Sequence, residues 1–278
     1  MFKISTPRPL AKRLSRTRRT ALLGGFLVAG LALAGTPRAQ DVIRVGVTAG
    51  PHAQIAEVAR KVAERDGLKL QIVEFQDYIQ PNAALDSGDL QANSYQHLPF
   101  LQTQIQSRGY KISAVGETVT FPMGFYSKKV KSLAELPDGA KVGIQNDPSN
   151  SGRALALLQK YGVIRLKPGA GITATTLDVI ENPKHLQIVQ IEAAQLPRSL
   201  DDLSASAINT NYAVQANLVP TRDAIAIEDA KSPYANLIAV RTQDKDKPWV
   251  AKLVQAFQSP EVRKLVESSF NGSLVAAF

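Results

Sequence analysis

The chain of 278 residues carries a formal net charge of +9 and contains no cysteine, which excludes disulfides, thiolate chemistry and cysteine metal sites and leaves its own core to hold the fold. The length admits one large or two medium domains. Eight basic residues (Lys3, Arg8, Lys12, Arg13, Arg16, Arg18, Arg19 and Arg38) precede residue 40 with no acidic residue among them, and without them the charge is +1, so no nucleic-acid partner is expected and the excess belongs to a targeting segment.

That segment, residues 1–39, has a basic start ending in Arg18-Arg19 and an apolar run over 21–34. The run is shorter than the ~20 residues of a spanning helix and fits the core of a signal peptide. Cleavage is expected at the small-residue pattern Ala32-Leu33-Ala34 or nearer Ala39, and the arginine pair leaves a twin-arginine route open. No later apolar run reaches spanning length, which predicts a soluble, exported, periplasmic mature protein.

From Asp41 short β-branched runs alternate with helical periodicity. Residues 42–47 predict a strand, Gly50-Pro51-His52-Ala53 its turn, and 54–66 a helix with Ile55, Val58, Ala59 and Val62 on one face. A strand at 70–75 and a helix at 80–87 follow, and 88–95 leads into a helix over 98–108. Residues 111–118, 123–127 and 141–144 predict strands, with a helical turn at 133–136. Beyond residue 160 come a loop at 167–173, a short strand or turn at 176–181, a strand at 186–191, a helix at 196–203 and a strand at 205–208. A helix at 212–216, a strand at 237–240 and two helices within 248–270, broken near Ser259-Pro260, complete the chain. The alternation predicts an α/β fold. Two sheets with a cleft between them fit it better than one sheet, although periodicity leaves that choice open.

The stretch 145–159, QNDPSNSGRALALLQ, is the most informative. An apolar strand runs into a turn-forming cluster and then into a helix for which Ser149, Asn150 and Ser151 are N-cap types, so the helix start would offer N–H groups and a positive dipole end to an anion. Arg153, placed in the first turn, opposes the macrodipole, and its guanidinium fork can hold a carboxylate through two bonds. Alternatively it is a solvated surface residue or pairs with a nearby acid such as Asp147.

His52, His97 and His185 are too widely spaced for a metal site, and no Gly-x-Ser-x-Gly elbow is present. No metal, cofactor or catalytic residue is expected. Four segments instead combine aromatic and amide residues: Phe75-Gln76-Asp77-Tyr78, residues 93–100 (NSYQHLPF), Asn209-Thr210-Asn211-Tyr212 and Pro233-Tyr234-Ala235-Asn236. Each is compatible with ordinary turn chemistry. Their shared position after strands favours ligand contact, because α/β sheets bind at the carboxyl ends of their strands.

Seven ordered matches extend this pattern: 75–78 with Pro81-Asn82; Tyr95-Gln96-His97 with Pro99; Asn146-Asp147-Pro148 with Gly152-Arg153; Leu177-Asp178-Val179 with 181–184; 195–202; Ile208-Asn209-Thr210 with Tyr212-Ala213; and Ser232-Pro233-Tyr234 with Asn236-Leu237-Ile238. On them the chain, from about Ile43 to its end, resembles the NlpA/MetQ-type methionine-binding proteins, the receptors of methionine ABC importers. The resemblance implies a bilobal periplasmic-binding-protein fold of type II, with a first lobe of 41–121 plus 239–278, a second of 122–238, and crossings at 121–124 and 236–240. It implies that Arg153 holds the ligand carboxylate, that Asn209 and Asn236 secure the polar head, and that Tyr78, Tyr95 and His97 wall the side-chain pocket, with Phe100 and Asn82 as further candidates. Sulfur–aromatic contacts of ~0.3–1.5 kcal/mol suit a thioether, and amide oxygens can accept from an ammonium. The implied partners are L-methionine, a membrane permease and its ATPase, met by a monomeric receptor that performs no chemistry. Alternatives are another small apolar amino acid, a methionine derivative or methionine-containing dipeptide on the same fold, or an exported enzyme on that scaffold. One departure is Leu33-Ala34-Gly35-Thr36: the family's lipobox ends in cysteine, and Thr36 cannot carry the thioether lipid, so a freely diffusing receptor is expected.

Overall fold

Strands and helices alternate through two large sheets and a separate two-stranded one in a computed structural model that describes residues 42–229 and 232–278. The targeting segment and the Leu33-to-Thr36 run lie outside the described residues. The outward path is β1 (Ile43–Thr48), α1 (Pro51–Arg65), β2 (Leu70–Phe75), α2 (Gln80–Ser87), β3 (Ala92–His97), α3 (Leu98–Arg108) and β4 (Ile112–Thr120). After residues 121–123 the chain makes β5 (Gly124–Tyr126), β6 (Lys141–Gln145), α4 (Pro148–Lys160), β7 (Arg165–Leu166), β8 (Val179–Glu181), β9 (Gln187–Ile191), α5 (Leu196–Ser199) and β10 (Ala205–Ile208). Then come α6 (Thr210–Gln215), α7 (Pro220–Asp223) and β11 (Ala226–Ile227). Residues 228–234 lead back to β12 (Ala235–Arg241), α8 (Pro248–Phe257), α9 (Pro260–Ser269) and β13 (Val275–Ala276).

The first sheet has the order β13-β4-β12-β3-β1-β2, and the second β11-β5-β10-β6-β9. In the first, β2, β1 and β3 run parallel while β12 lies antiparallel between β3 and β4. In the second, β10, β6 and β9 run parallel and β5 is antiparallel to β10. Each lobe has its own core. Val45 and Val47 of β1, with Ile238 and Val240 of β12, pack under α1, α8 and α9, and Val142 and Ile144 of β6 pack under Leu155 and Leu158 of α4. Burying each such side chain contributes ~1.5–3 kcal/mol.

Three sequence expectations are corrected. The return crossing is not 236–240: Asn236, Leu237, Ile238, Ala239 and Val240 are all buried in β12, which pairs with β3 on one edge and β4 on the other within the first sheet. A run this apolar is stabilised as a central strand, so the return is complete before β12 begins. Residues 92–97, expected as a lead-in, form β3, a central strand whose polar residues are all buried. Its Asn93 and Gln96 are satisfied by Asn82 of α2: Asn93 Nδ2 and Gln96 Nε2 both donate to Asn82 Oδ1, at 2.9 and 2.6 Å, and Asn82 Nδ2 donates to Gln96 Oε1 at 2.8 Å. Finally, α4 starts at Pro148, earlier than its serines suggested, because Asp147 is the N-cap and accepts from Asn150 N at 2.9 Å. Arg153 therefore sits in the second turn.

Candidate ligand-binding site

A small cavity is lined by residues at or just beyond the carboxyl ends of strands in both sheets, together with Asn236 of β12 and Phe121 of the outward crossing. From the first lobe it takes His52, Tyr78, Tyr95, Gln96, His97, Phe100 and Asn236, from the outward crossing Phe121, and from the second lobe Asn150, Arg153, Asn209 and Asn211. Seven of the eight residues expected from sequence thus meet in one place. Asn82 does not reach the cavity; it lies behind Gln96 and fixes that side chain's orientation.

Arg153 is 2% exposed and is already paired. Its Nε and Nη2 donate side-on to Glu228 at 2.7 and 2.5 Å, Nη2 also donates to the Phe121 carbonyl at 2.8 Å, and the guanidinium lies 4.2 Å from the Tyr234 ring centroid. The acid partner is Glu228 in the return crossing, not Asp147, whose carboxylate caps α4. Among the described residues nothing accepts from Nη1, and the Arg153 side chain lines the cavity. Gly152 next to it has a steric cause: a Cβ there would meet the Ile172 carbonyl oxygen at 2.4 Å.

The aromatic wall is continuous. Tyr78 lies 6.0 Å from both Tyr95 and Phe100 and 5.0 Å from Tyr212, with ring pairs tilted or edge-on. Tyr95 donates its hydroxyl to the Tyr78 carbonyl at 3.0 Å. Tyr78 donates across the cleft to Asn211 Oδ1 at 2.5 Å, and the Asn211 Nδ2, buried in the cavity wall, has no acceptor among the described residues.

Both cavity histidines are neutral. His97 Nδ1 accepts from Phe100 N at 3.2 Å, so Nε2 carries the proton and donates to Asn150 Oδ1 at 3.2 Å. Burial first, and the Arg153 charge second, push its pKa down to about 3. His52, stacked on Phe121 at 4.3 Å, bridges Thr48 and Asn236 at 2.8 and 3.1 Å, and burial lowers its pKa to about 4. Asn236 Oδ1 is thus partly used by His52, and Asn209 Oδ1 by Gln145 Nε2 at 2.7 Å. Each oxygen keeps one lone pair, fewer acceptors for an ammonium than free amides would offer. Among the described residues Arg153 is the one full charge lining the cavity. A group with a carboxylate at one end and an apolar, polarizable tail at the other matches this lining.

Sequence reasoning does not find His52, Gln96, Phe121, Asn150, Asn211, Tyr234 or Glu228. Gln96, Asn150, Asn211 and Tyr234 lie in segments already singled out, whereas Glu228 sits in an undistinguished stretch and only the fold brings it to Arg153.

Residues 43–278 match the family model described as NlpA lipoprotein. The chain belongs to the NlpA lipoprotein family. It is 51% identical over 257 residues to the D-methionine-binding lipoprotein MetQ of Escherichia coli K12, covering 90% of this chain and 95% of that protein. Lipoprotein 28 of the same organism is 46% identical over 263 residues, covering 94% and 96%. Among solved structures, a nutrient-binding protein from Burkholderia cenocepacia bound to methionine is 59% identical with a TM-score of 0.83, covering 85% of this chain and all of the other. The bilobal, type II periplasmic-binding-protein fold is that of this family. Among the described residues no helix is long and apolar enough to cross a membrane.

Proposed function

We propose that this family member is an extracytoplasmic solute receptor that binds methionine between its lobes and delivers it, as a monomer, to a membrane permease driven by an ATPase. The observation that carries this reading is the pairing of a guanidinium whose Nη1 has no acceptor among the described residues with a continuous aromatic wall in one small cavity. Arg153, through Nη1, takes the carboxylate; Asn209 and Asn236 contribute to the amino-acid head; Tyr78, Tyr95 and Phe100 receive the thioether; His97 and Asn150 close the wall. Asn211 Nδ2 supplies a further donor. The methionine-bound relative at 59% identity supports the same ligand class. The residues brought together provide binding and orientation, and we infer that the protein performs no chemistry on its ligand.

Binding rests on differential contacts from two lobes, so the ligand favours the closed form. Calorimetric titration of ligand-stripped protein with L-methionine, D-methionine, alanine and a glycyl-methionine dipeptide tests the proposal. Methionine should bind at least tenfold tighter than alanine; equal affinities, or preference for the dipeptide, would overturn methionine as the ligand.

A further inference from the structure

Glu228 lies outside the cavity yet holds the one full charge that lines it. Its carboxylate receives Arg153 Nε and Nη2, and it also accepts from Met123 N at 2.9 Å, while Glu228 N donates to the Met123 carbonyl at 3.0 Å. Met123 belongs to the outward crossing and Glu228 to the return crossing, so one side chain stitches both connections and fixes the guanidinium at their junction. Arg153 Nη2 adds a third tie, to Phe121 of the outward crossing. The Glu228 side chain is only 10% exposed, so its charge is weakly screened by water.

We propose that Glu228 is the positioning residue that leaves only the Nη1 edge of Arg153 for a ligand and, by cancelling the guanidinium charge, makes the site select net-neutral zwitterions over simple carboxylate anions. This rests on the reading of the cavity as an amino-acid site. Two effects of the carboxylate oppose each other. It pins Arg153, which favours any carboxylate ligand, and it repels a ligand's negative charge, which disfavours one. For a zwitterion the repulsion is offset by attraction of the ammonium, so pinning dominates. For an anion lacking the ammonium the repulsion is uncompensated. Removing the charge while keeping the shape should therefore weaken a zwitterion and penalise the matching anion less.

The test is titration of methionine and N-acetylmethionine into the full-length protein, its E228Q variant and its E228D variant. In E228Q methionine should bind at least tenfold more weakly, and the ratio of methionine to N-acetylmethionine affinity should narrow at least threefold. E228D keeps the charge, so it should preserve that ratio within twofold even where both affinities fall. A purely structural role would weaken both ligands of E228Q by one common factor, and that result overturns the proposal, as does unchanged or tighter methionine binding. If E228Q does not fold, E228D decides alone: a ratio narrowed threefold or more in a variant that retains the charge overturns it. Failure of the parent protein to bind methionine would instead sink the ligand assignment, which separates the two outcomes.

Discussion

Arg153 and Tyr95 contribute to the same cavity through different physics, and their removal should differ in kind. Arg153→Ala deletes the charge that faces the ligand carboxylate, a loss of ~2–5 kcal/mol when one member of a buried pair is truncated. It also strands Glu228 in a mostly buried position, so the fold should lose stability too, by up to the ~3–5 kcal/mol typical of a broken buried pair. Tyr95→Ala opens the wall that Tyr78 and Phe100 share, for which ~3–5 kcal/mol is an upper guide because water can refill the space. In calorimetry Arg153→Ala should weaken methionine and alanine by similar factors, whereas Tyr95→Ala should mainly erode the preference for methionine. Methionine affinity within threefold of the parent in a folded Arg153→Ala protein would remove Arg153 as the anchor. The histidines give a second expectation. His52 and His97 are held neutral when folded, at about 4 and about 3, against an ordinary value of 6.5. Unfolded chains bind more protons than folded ones below pH 6.5, so the stability these groups allow is fully present above it. It is lost as pH falls toward 4, by up to ~1.4 kcal/mol for each histidine per pH step of one. Urea denaturation of the parent between neutral pH and about pH 4.5 should show this decline, and His97→Gln should flatten it; a slope unchanged by the substitution would show that other groups set it. At this scale Asn209 is readable because it stands directly after a strand, and Arg153 because a cation near the start of a helix is out of place for the macrodipole. Glu228 is not readable, because its role comes from a contact spanning 75 residues.

Elements place these side chains, and α4 is the clearest case. Its approach to residues 172–174 is close enough that Gly152 admits no side chain: an added Cβ would lie 2.4 Å from the Ile172 carbonyl oxygen and 2.9 Å from Ala174 N. Both neighbours are backbone and cannot rotate aside. Gly152→Ala should therefore destabilise the protein by ~1–3 kcal/mol and, because Arg153 moves with its helix, weaken methionine binding as well. Unchanged urea midpoint and affinity would show that the 172–174 loop yields freely. The pattern of strands and helices is legible wherever β-branched runs or amphipathic periodicity exist, as in β1, β2, α1 and α3. β3 is hidden because four of its six residues, Asn93, Ser94, Gln96 and His97, are polar. It can occupy a central position only because Asn82 supplies the buried partners, a side-chain arrangement that no local period encodes. The α4 start is hard to place from sequence because three good capping residues follow Asp147, and Pro148 at the first helical position decides among them.

The whole molecule is drawn together across the cleft by bonds that need no ligand. Tyr212 donates to the Gln76 carbonyl at 3.2 Å, Gln215 Nε2 to the Ala49 carbonyl at 3.0 Å, and His97 reaches Asn150. These polar ties are few and partly wet, worth ~0.5–1.5 kcal/mol each, so ligand contacts from both lobes should supply the rest of the closing free energy. Small-angle scattering of ligand-stripped protein should show a smaller radius of gyration on adding methionine; an expansion would contradict closure around the ligand. The α/β class is legible from alternation, and the bilobal division from resemblance. The return crossing is not, because an apolar strand edge looks the same in sequence whether it ends one lobe or begins the other. The central claim, one methionine held in the Arg153 cavity, is tested most directly by native mass spectrometry of the purified protein before and after mild unfolding and refolding with methionine. The expected result is a single added methionine mass that is lost on unfolding, regained on refolding, and absent from Arg153→Ala under the same conditions. A parent protein whose native mass stays unchanged in saturating methionine after refolding would contradict it.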